Sequence, residues 1–96
     1  ATKGALSASV RALATELAPR GVRVNAVCPS NVQTPMFEAG AARMLDAASH
    51  AALLKRQPLG IGRPEQVAWP ICFLLSDAAS FITGVNLPVD GGYLAQ

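Results

Sequence analysis

Several things are scarce in this sequence. Of its 96 residues only 15% are charged and 5% aromatic, two are cysteine, and the one histidine is His50. A lone histidine excludes a multi-histidine metal site, and no metal-ligand spacing occurs elsewhere. Cys28 and Cys72 lie far apart, forming neither a CxxC pair nor a disulfide framework, which predicts two separate buried thiols in a reducing cytosol. Eight Lys and Arg stand against six Asp and Glu, a net charge of +2. No basic run appears, so nucleic acid is excluded as a partner. The longest apolar stretch, Ala68 to Leu75, falls far short of the ~20 residues of a membrane-spanning helix. No signal-peptide pattern is present, nor any internal repeat, low-complexity tract or G-x-G-x-x-G phosphate loop.

What is abundant is aliphatic surface: 51% of the residues are hydrophobic. That argues against disorder. A chain this short makes one small domain and buries only about 60–65% of its unfolded surface, yet its composition suits a segment covered on most sides. The opening residues, Ala1-Thr2-Lys3-Gly4-Ala5-Leu6, already read as helix with no N-cap and no initiator Met before them. The expectation is a chain that starts inside an element and forms the C-terminal part of something larger.

Leu6, Val10, Leu13 and Leu17 fall at i, i+4, i+7 and i+11, one stripe of a helix over 1–18. Ala1, Ala5, Ala8 and Ala12 form a second, small-residue stripe, so two covered faces are expected. Pro19 and Gly21 end the helix. Val22 to Val27 is β-branched and bounded by breakers, hence a strand that stops at Cys28-Pro29-Ser30-Asn31. Thr34-Pro35 opens a loose helical region over about 36–56. Pro58 to Gly62 is a loop. Pro64 and Glu65 suit the first turn of a helix whose buried stripe is Val67, Ile71 and Leu74, with Pro70 in its interior. After a short turn, Gly84 to Val89 is a second strand, placed at a sheet edge because Pro88 cannot donate to a ladder. Asp90-Gly91-Gly92 is a turn.

Helix, strand, helix, helix, strand is the order of an α/β domain. A long helical crossover between the strands makes them parallel. Two strands alone cannot cover both faces of a parallel sheet, which again points to a larger parent.

Locally, the chemistry-bearing residues say little. A lysine at position 3 reads as a surface charge. Asn25 to Met36 reads as a strand end followed by a proline turn. Arg43, His50, Lys55 and Arg56 read as a solvated face, and Glu38 and Asp46 are no convincing acid–base pair. The order changes the reading. Ala1-Thr2-Lys3-Gly4-Ala5-Leu6, Ala14-Thr15-Glu16-Leu17-Ala18, Gly21-Val22-Arg23-Val24-Asn25, Pro29, then Ser76 to Gly84 and Leu87-Pro88-Val89-Asp90-Gly91-Gly92 together resemble the C-terminal part of the short-chain dehydrogenase/reductase family. Each motif is weak alone; together, in this order and spacing, they are strong.

The resemblance covers essentially the whole chain but only about the last third of a family member. It implies the C-terminal portion of a single NAD(P)-binding, doubly wound, parallel-sheet Rossmann-type domain, cytoplasmic, that moves hydride between nicotinamide and an alcohol or ketone carbon. Both a 3-oxoacyl thioester and a small secondary alcohol fit as substrate. The family's catalytic tyrosine would fall four residues before Lys3, ahead of Ala1. Lys3 would lower that phenol's pKa and hydrogen-bond the nicotinamide ribose. Pro29 would pack on the nicotinamide. Ser30 stands where the family usually has glycine, which tolerates unusual dihedrals and close approach. Val32 would meet the carboxamide through its backbone, and Thr34 through its hydroxyl or at the diphosphate. Met36, Phe37 and Met44, with Leu45, would line the substrate pocket or simply pack. Trp69, Leu87 and Val89 are candidates for a homo-oligomer interface, dimeric or tetrameric, or for ordinary core. The choice of NAD or NADP is made on an earlier strand. The competing reading is a packing or oligomerisation module with no turnover as an isolated chain.

Overall fold

The computed structural model describes residues 2–33 and 47–95. Helix α1 spans Thr2–Leu17. Pro19 lies in the single 3-10 turn, Ala18–Arg20, that follows it. Gly21 then adopts φ 72°, and its N–H donates to Ala18 O. Only glycine takes that left-handed conformation without steric cost, so the helix stops where proline and glycine together demand.

Residues 22–25 run alongside 83–85 before the first ladder begins. Gly84 N donates to Val24 O at 2.7 Å and Ala26 N to Val85 O at 2.9 Å. Strand β1 is Ala26–Pro29, later than the β-branched run suggested: it includes Cys28 and Pro29 rather than stopping before them. Pro29 is tolerated because it is the last residue of the strand, where a missing N–H costs no ladder bond. Helix α2 spans Ala47–Arg56 and helix α3 spans Pro64–Leu75, with Pro70 inside it. Strand β2, Asn86–Val89, pairs with β1 in parallel, Ala26 opposite Asn86 through Pro29 opposite Val89. The parallel α/β arrangement expected from element order is therefore present.

Polar side chains join these elements. The Arg23 guanidinium donates to Leu74 O at 2.7 Å, Ser76 O at 3.3 Å and Ile82 O at 3.2 Å. A cation here complements the negative end of α3 and takes carbonyls the helix leaves unpaired. Asn25 donates to Ile82 O and accepts from Val85 N. At the other end of α3, Arg63 N donates to Gln66 Oε1 at 2.8 Å, a cap that the Pro64-Glu65 pair alone did not reveal. Glu65 lies at 2.7 Å from the Arg63 guanidinium.

The core within the described residues is small. Ala14 is 4% exposed, and Leu74 and Ala79 are also buried. Ala14 sits against Gly84, where any side chain would touch it. Parts of the expected stripes are not covered: Leu6, Leu13 and Ile71 are exposed, as are Ala5, Ala8 and Ala12. The periodicity marks real helix faces that the described residues cover only in part: Leu74 is buried and Val10, Leu17 and Val67 are half-buried. Cys28 is half-buried and Cys72 exposed, both as free thiols, so the expectation of two buried thiols fails at Cys72. Cys72 lies one residue from Ile71 on an α3 face that no described element covers.

Candidate functional site

Parallel strands carry their ligands beyond their carboxyl ends, and the chain forms a cleft there. Ser7 of α1, Cys28 and Pro29 of β1, Ser30 and Asn31 after it, Asn86 and Pro88 of β2, and Asp90 and Tyr93 beyond it line a cavity of ≈ 570 Å³. Pro29 is exposed, offering an apolar ring face to the cleft. Lys3 stands one turn before Ser7, on the same helix face by i, i+4 spacing; its side chain lies outside what is described. Asp90 accepts from Gly92 N at 3.0 Å and Leu94 N at 3.1 Å. That carboxylate is committed to holding the turn.

Residues 30–33 are fastened from the far side. Gly62 N donates to Asn31 O at 3.2 Å and Gln33 N donates to Gly62 O at 2.7 Å, making a parallel bridge between Val32 and Gly62. Successive residues of an extended segment aim their backbone groups to opposite edges. Val32 therefore turns its own N–H and C=O away from Gly62, and no described residue takes either group. An adjacent donor and acceptor of this kind can pair with a planar amide.

The most buried polar side chain at the site is one the sequence did not single out. Gln57, one residue beyond α2, is 1% exposed. Its Oε1 accepts from Ser30 Oγ at 2.6 Å, Asn31 N at 3.0 Å and Asn31 Nδ2 at 2.9 Å. Its Nε2 donates to Asn31 O at 3.2 Å and Gly60 O at 2.9 Å. Three backbone partners, one donor and two acceptors, fix which way the amide faces. Only its place between α2 and Pro58 could have hinted at this, and a polar residue ahead of a proline loop is ordinarily solvated.

At Ser30 the backbone uses none of the unusual dihedrals that the family's usual glycine would allow. Among the described residues no non-glycine has a positive φ. The backbone at 30 is one that any residue adopts, and the hydroxyl finds a partner. Thr34, Met36, Phe37 and Met44, like Glu38, Arg43, Leu45 and Asp46, lie outside the described residues. His50 is exposed, and no cluster of metal-ligating side chains occurs among the described residues. Trp69 is 60% exposed, whereas Leu87 and Val89 are half-buried.

With this geometry in place, likeness to known proteins is informative. The family model described as "Enoyl-(Acyl carrier protein) reductase" matches residues 1–94. L-xylulose reductase of Bos taurus is 48% identical over 95 residues, 98% of this chain and 38% of that protein. The solved short-chain type dehydrogenase/reductase of Mycobacterium ulcerans superposes with a TM-score of 0.88 at 36% identity, over 99% of this chain and 34% of the other. The chain belongs to the short-chain dehydrogenase/reductase family. The Rossmann-type fold implied by the sequence follows, since solved members share it at this superposition. A third relative in structure, 4-hydroxyisoleucine dehydrogenase complexed with NADH, superposes with a TM-score of 0.87 at 32% identity, over 98% of this chain and 38% of that one. The chain thus spans little more than a third of the length of these short-chain dehydrogenase/reductase relatives.

Proposed function

We propose that these residues form the C-terminal portion of an NAD(P)-dependent oxidoreductase that moves hydride between nicotinamide and an alcohol or ketone carbon. The observation that carries this reading is the cleft at the carboxyl ends of β1 and β2. The exposed Pro29 ring lines it, and three residues on in the same short loop Val32 carries an N–H and a C=O that no described residue takes. A flat ring bearing a carboxamide needs those two features: an apolar face to lie on, and an adjacent donor and acceptor. The family relationship and the NADH complex of 4-hydroxyisoleucine dehydrogenase support the same cofactor class.

In this reading Pro29 packs on the ring, Ser30 holds the loop, Val32 pairs with the carboxamide, and Thr34 reaches the carboxamide or the diphosphate. When bound, the cofactor supplies or accepts the hydride. Lys3 acts on the proton instead. Its charge lowers the pKa of the tyrosine phenol that the family carries one helical turn earlier, and its ammonium hydrogen-bonds ribose hydroxyls. Met36, Phe37 and Met44 shape the substrate pocket.

Both substrate classes stay within the proposal: relatives are named as a xylulose reductase and a hydroxyisoleucine dehydrogenase, and the matching family model as an enoyl-(acyl carrier protein) reductase. No described helix is long and apolar enough to cross a membrane. A cytoplasmic homo-oligomer, with Trp69, Leu87 and Val89 at its interface, completes the proposal. Fluorescence titration of the full-length protein with NADH and NADPH tests it. Saturable binding of either, weakened by substitution of Lys3 or Pro29, is the expected result; no binding of either cofactor overturns the reading.

A packing or oligomerisation role without turnover is the second reading for the 96 residues alone. Its support is the exposed apolar surface at Leu75 and Phe81, 78% and 103% exposed.

A further inference from the structure

Buried glutamine is costly unless every polar atom is paired, and at Gln57 the pairing is complete. The partners are not scattered through the core. They belong to Ser30 and Asn31 on one side and to Gly60 on the other. Asn31 immediately precedes Val32, and its carbonyl also accepts from Gly62 N. The amide therefore grips the loop at the residue before the backbone pair that the proposed nicotinamide contact uses. Gln57 does not itself line the cleft beside Pro29. It lines an adjoining cavity of ≈ 380 Å³, with Val32, Gly62 and Val67, that shares Asn31, Pro88 and Asp90 with the cleft.

We infer that Gln57 is a positioning residue for cofactor binding. Its carboxamide sets the backbone of residues 30–32 from behind, so that Val32 presents its N–H and C=O and Pro29 its ring. The inference rests on the reading of this cleft as a nicotinamide site. The chemistry required is specific. One end of the side chain must accept from Ser30, Asn31 N and Asn31 Nδ2, while the other must donate to two carbonyls. Leucine offers neither. A carboxylate offers the first but faces Asn31 O and Gly60 O with a second negative oxygen. A protonated carboxyl offers the first and supplies one of the two donations.

The test uses the full-length protein and its Gln57→Leu and Gln57→Glu variants. NADH and NADPH dissociation constants are measured by fluorescence across about pH 5.5 to 8, a range in which a buried carboxyl with a raised pKa titrates. If the loop holds its binding conformation only about one tenth of the time without the amide, the apparent dissociation constant rises about tenfold. Gln57→Leu is expected to show at least that loss at every pH. Gln57→Glu is expected to bind poorly at the alkaline end and to approach the parent as the pH falls. The Michaelis constant for the cofactor should rise in the same proportion, while kcat at saturating cofactor stays within about twofold, because the saturated loop is restored by the ligand.

Dissociation constants within about twofold of the parent in both variants, flat with pH relative to it, would overturn the role of Gln57 while leaving the nicotinamide reading intact. A parent that binds neither cofactor would instead overturn that reading and this inference with it. Should Gln57→Leu fail to fold, Gln57→Glu at low and high pH decides the matter alone.

Discussion

The Ser30 hydroxyl donates to Gln57 Oε1 at 2.6 Å, tying the loop after β1 to the residue that follows α2. The family's usual glycine could not make this bond. Ser30→Gly should therefore cost about 1–2 kcal/mol in stability, from one lost hydrogen bond and from the greater freedom of the unfolded glycine chain. Cofactor affinity should fall only severalfold, because Asn31 N and Asn31 Nδ2 still hold Oε1. Chemical denaturation and cofactor titration of the variant check both. Unchanged stability would mean that the hydroxyl is equally well solvated without Gln57.

Lys3 is expected to act through its charge. Lys3→Ala in the full-length protein should lower kcat by roughly a hundredfold or more, the usual worth of acid–base assistance. The pH profile is the sharper readout. A cation near a phenol lowers its pKa, so removing it should move the rising limb of alcohol oxidation to higher pH. A profile that does not move would take Lys3 out of the proton-transfer role.

Arg23 ties the end of α3 to the segment ahead of β2, donating to Leu74 O and Ser76 O on one side and Ile82 O on the other. Arg23→Ala should destabilise by about 1.5–3 kcal/mol, the range for hydrogen bonds to a charged group. Arg23→Lys should recover part of this, since an ammonium keeps the charge but not the fork. The urea midpoint should fall with little change in slope.

Glu65 gives a pH-dependent term with a definite sign. Its own backbone N–H and the Arg63 side chain, both donating to the carboxylate, hold its pKa below the ordinary 4.5. A carboxyl with a depressed folded-state pKa stabilises above its unfolded value, and that contribution is lost as the pH falls through the folded value. Glu65→Gln should thus lower Tm at neutral pH and lose its effect in acid. An equal Tm difference at both ends would mean that the charge is irrelevant.

The isolated 96 residues should show no saturable binding of NADH or NADPH at micromolar concentration and no turnover. No G-x-G-x-x-G occurs in them, and large apolar side chains such as Phe81 and Leu75 lie uncovered. Micromolar affinity would show that the cleft beside Pro29 suffices without a phosphate-binding loop.

Much of the fold could be read from residue order. Helix periodicity, the Pro19–Gly21 stop and the helical crossover gave α1, its end and the parallel pairing, because each depends on local chemistry or simple topology. The ladder of β1 was displaced because β-branching marks extended backbone, whereas pairing depends on what lies opposite: here Asn86 to Val89. At the site, Pro29 and Ser30 were legible, since breakers after a strand mark a loop at its carboxyl end. Gln57 was not. Its partners Ser30 and Asn31 lie 27 and 26 residues away, and nothing local distinguishes a glutamine that will be buried from one that will be solvated. The apolar stripes of α1 and α3 were correctly placed on faces, but each is covered only in part, Leu74 fully and Val10, Leu17 and Val67 halfway, because periodicity identifies a face and not its occupant.

The Val32–Gly62 bridge and the Gln57 amide fasten the same two stretches, 30–33 and 57–62, at neighbouring points. Neither stretch can swing outward without tearing backbone pairs on both. That side of the cleft consequently behaves as a fixed wall, and tolerance for bulkier molecules in an evolved variant would have to be sought on its opposite bank.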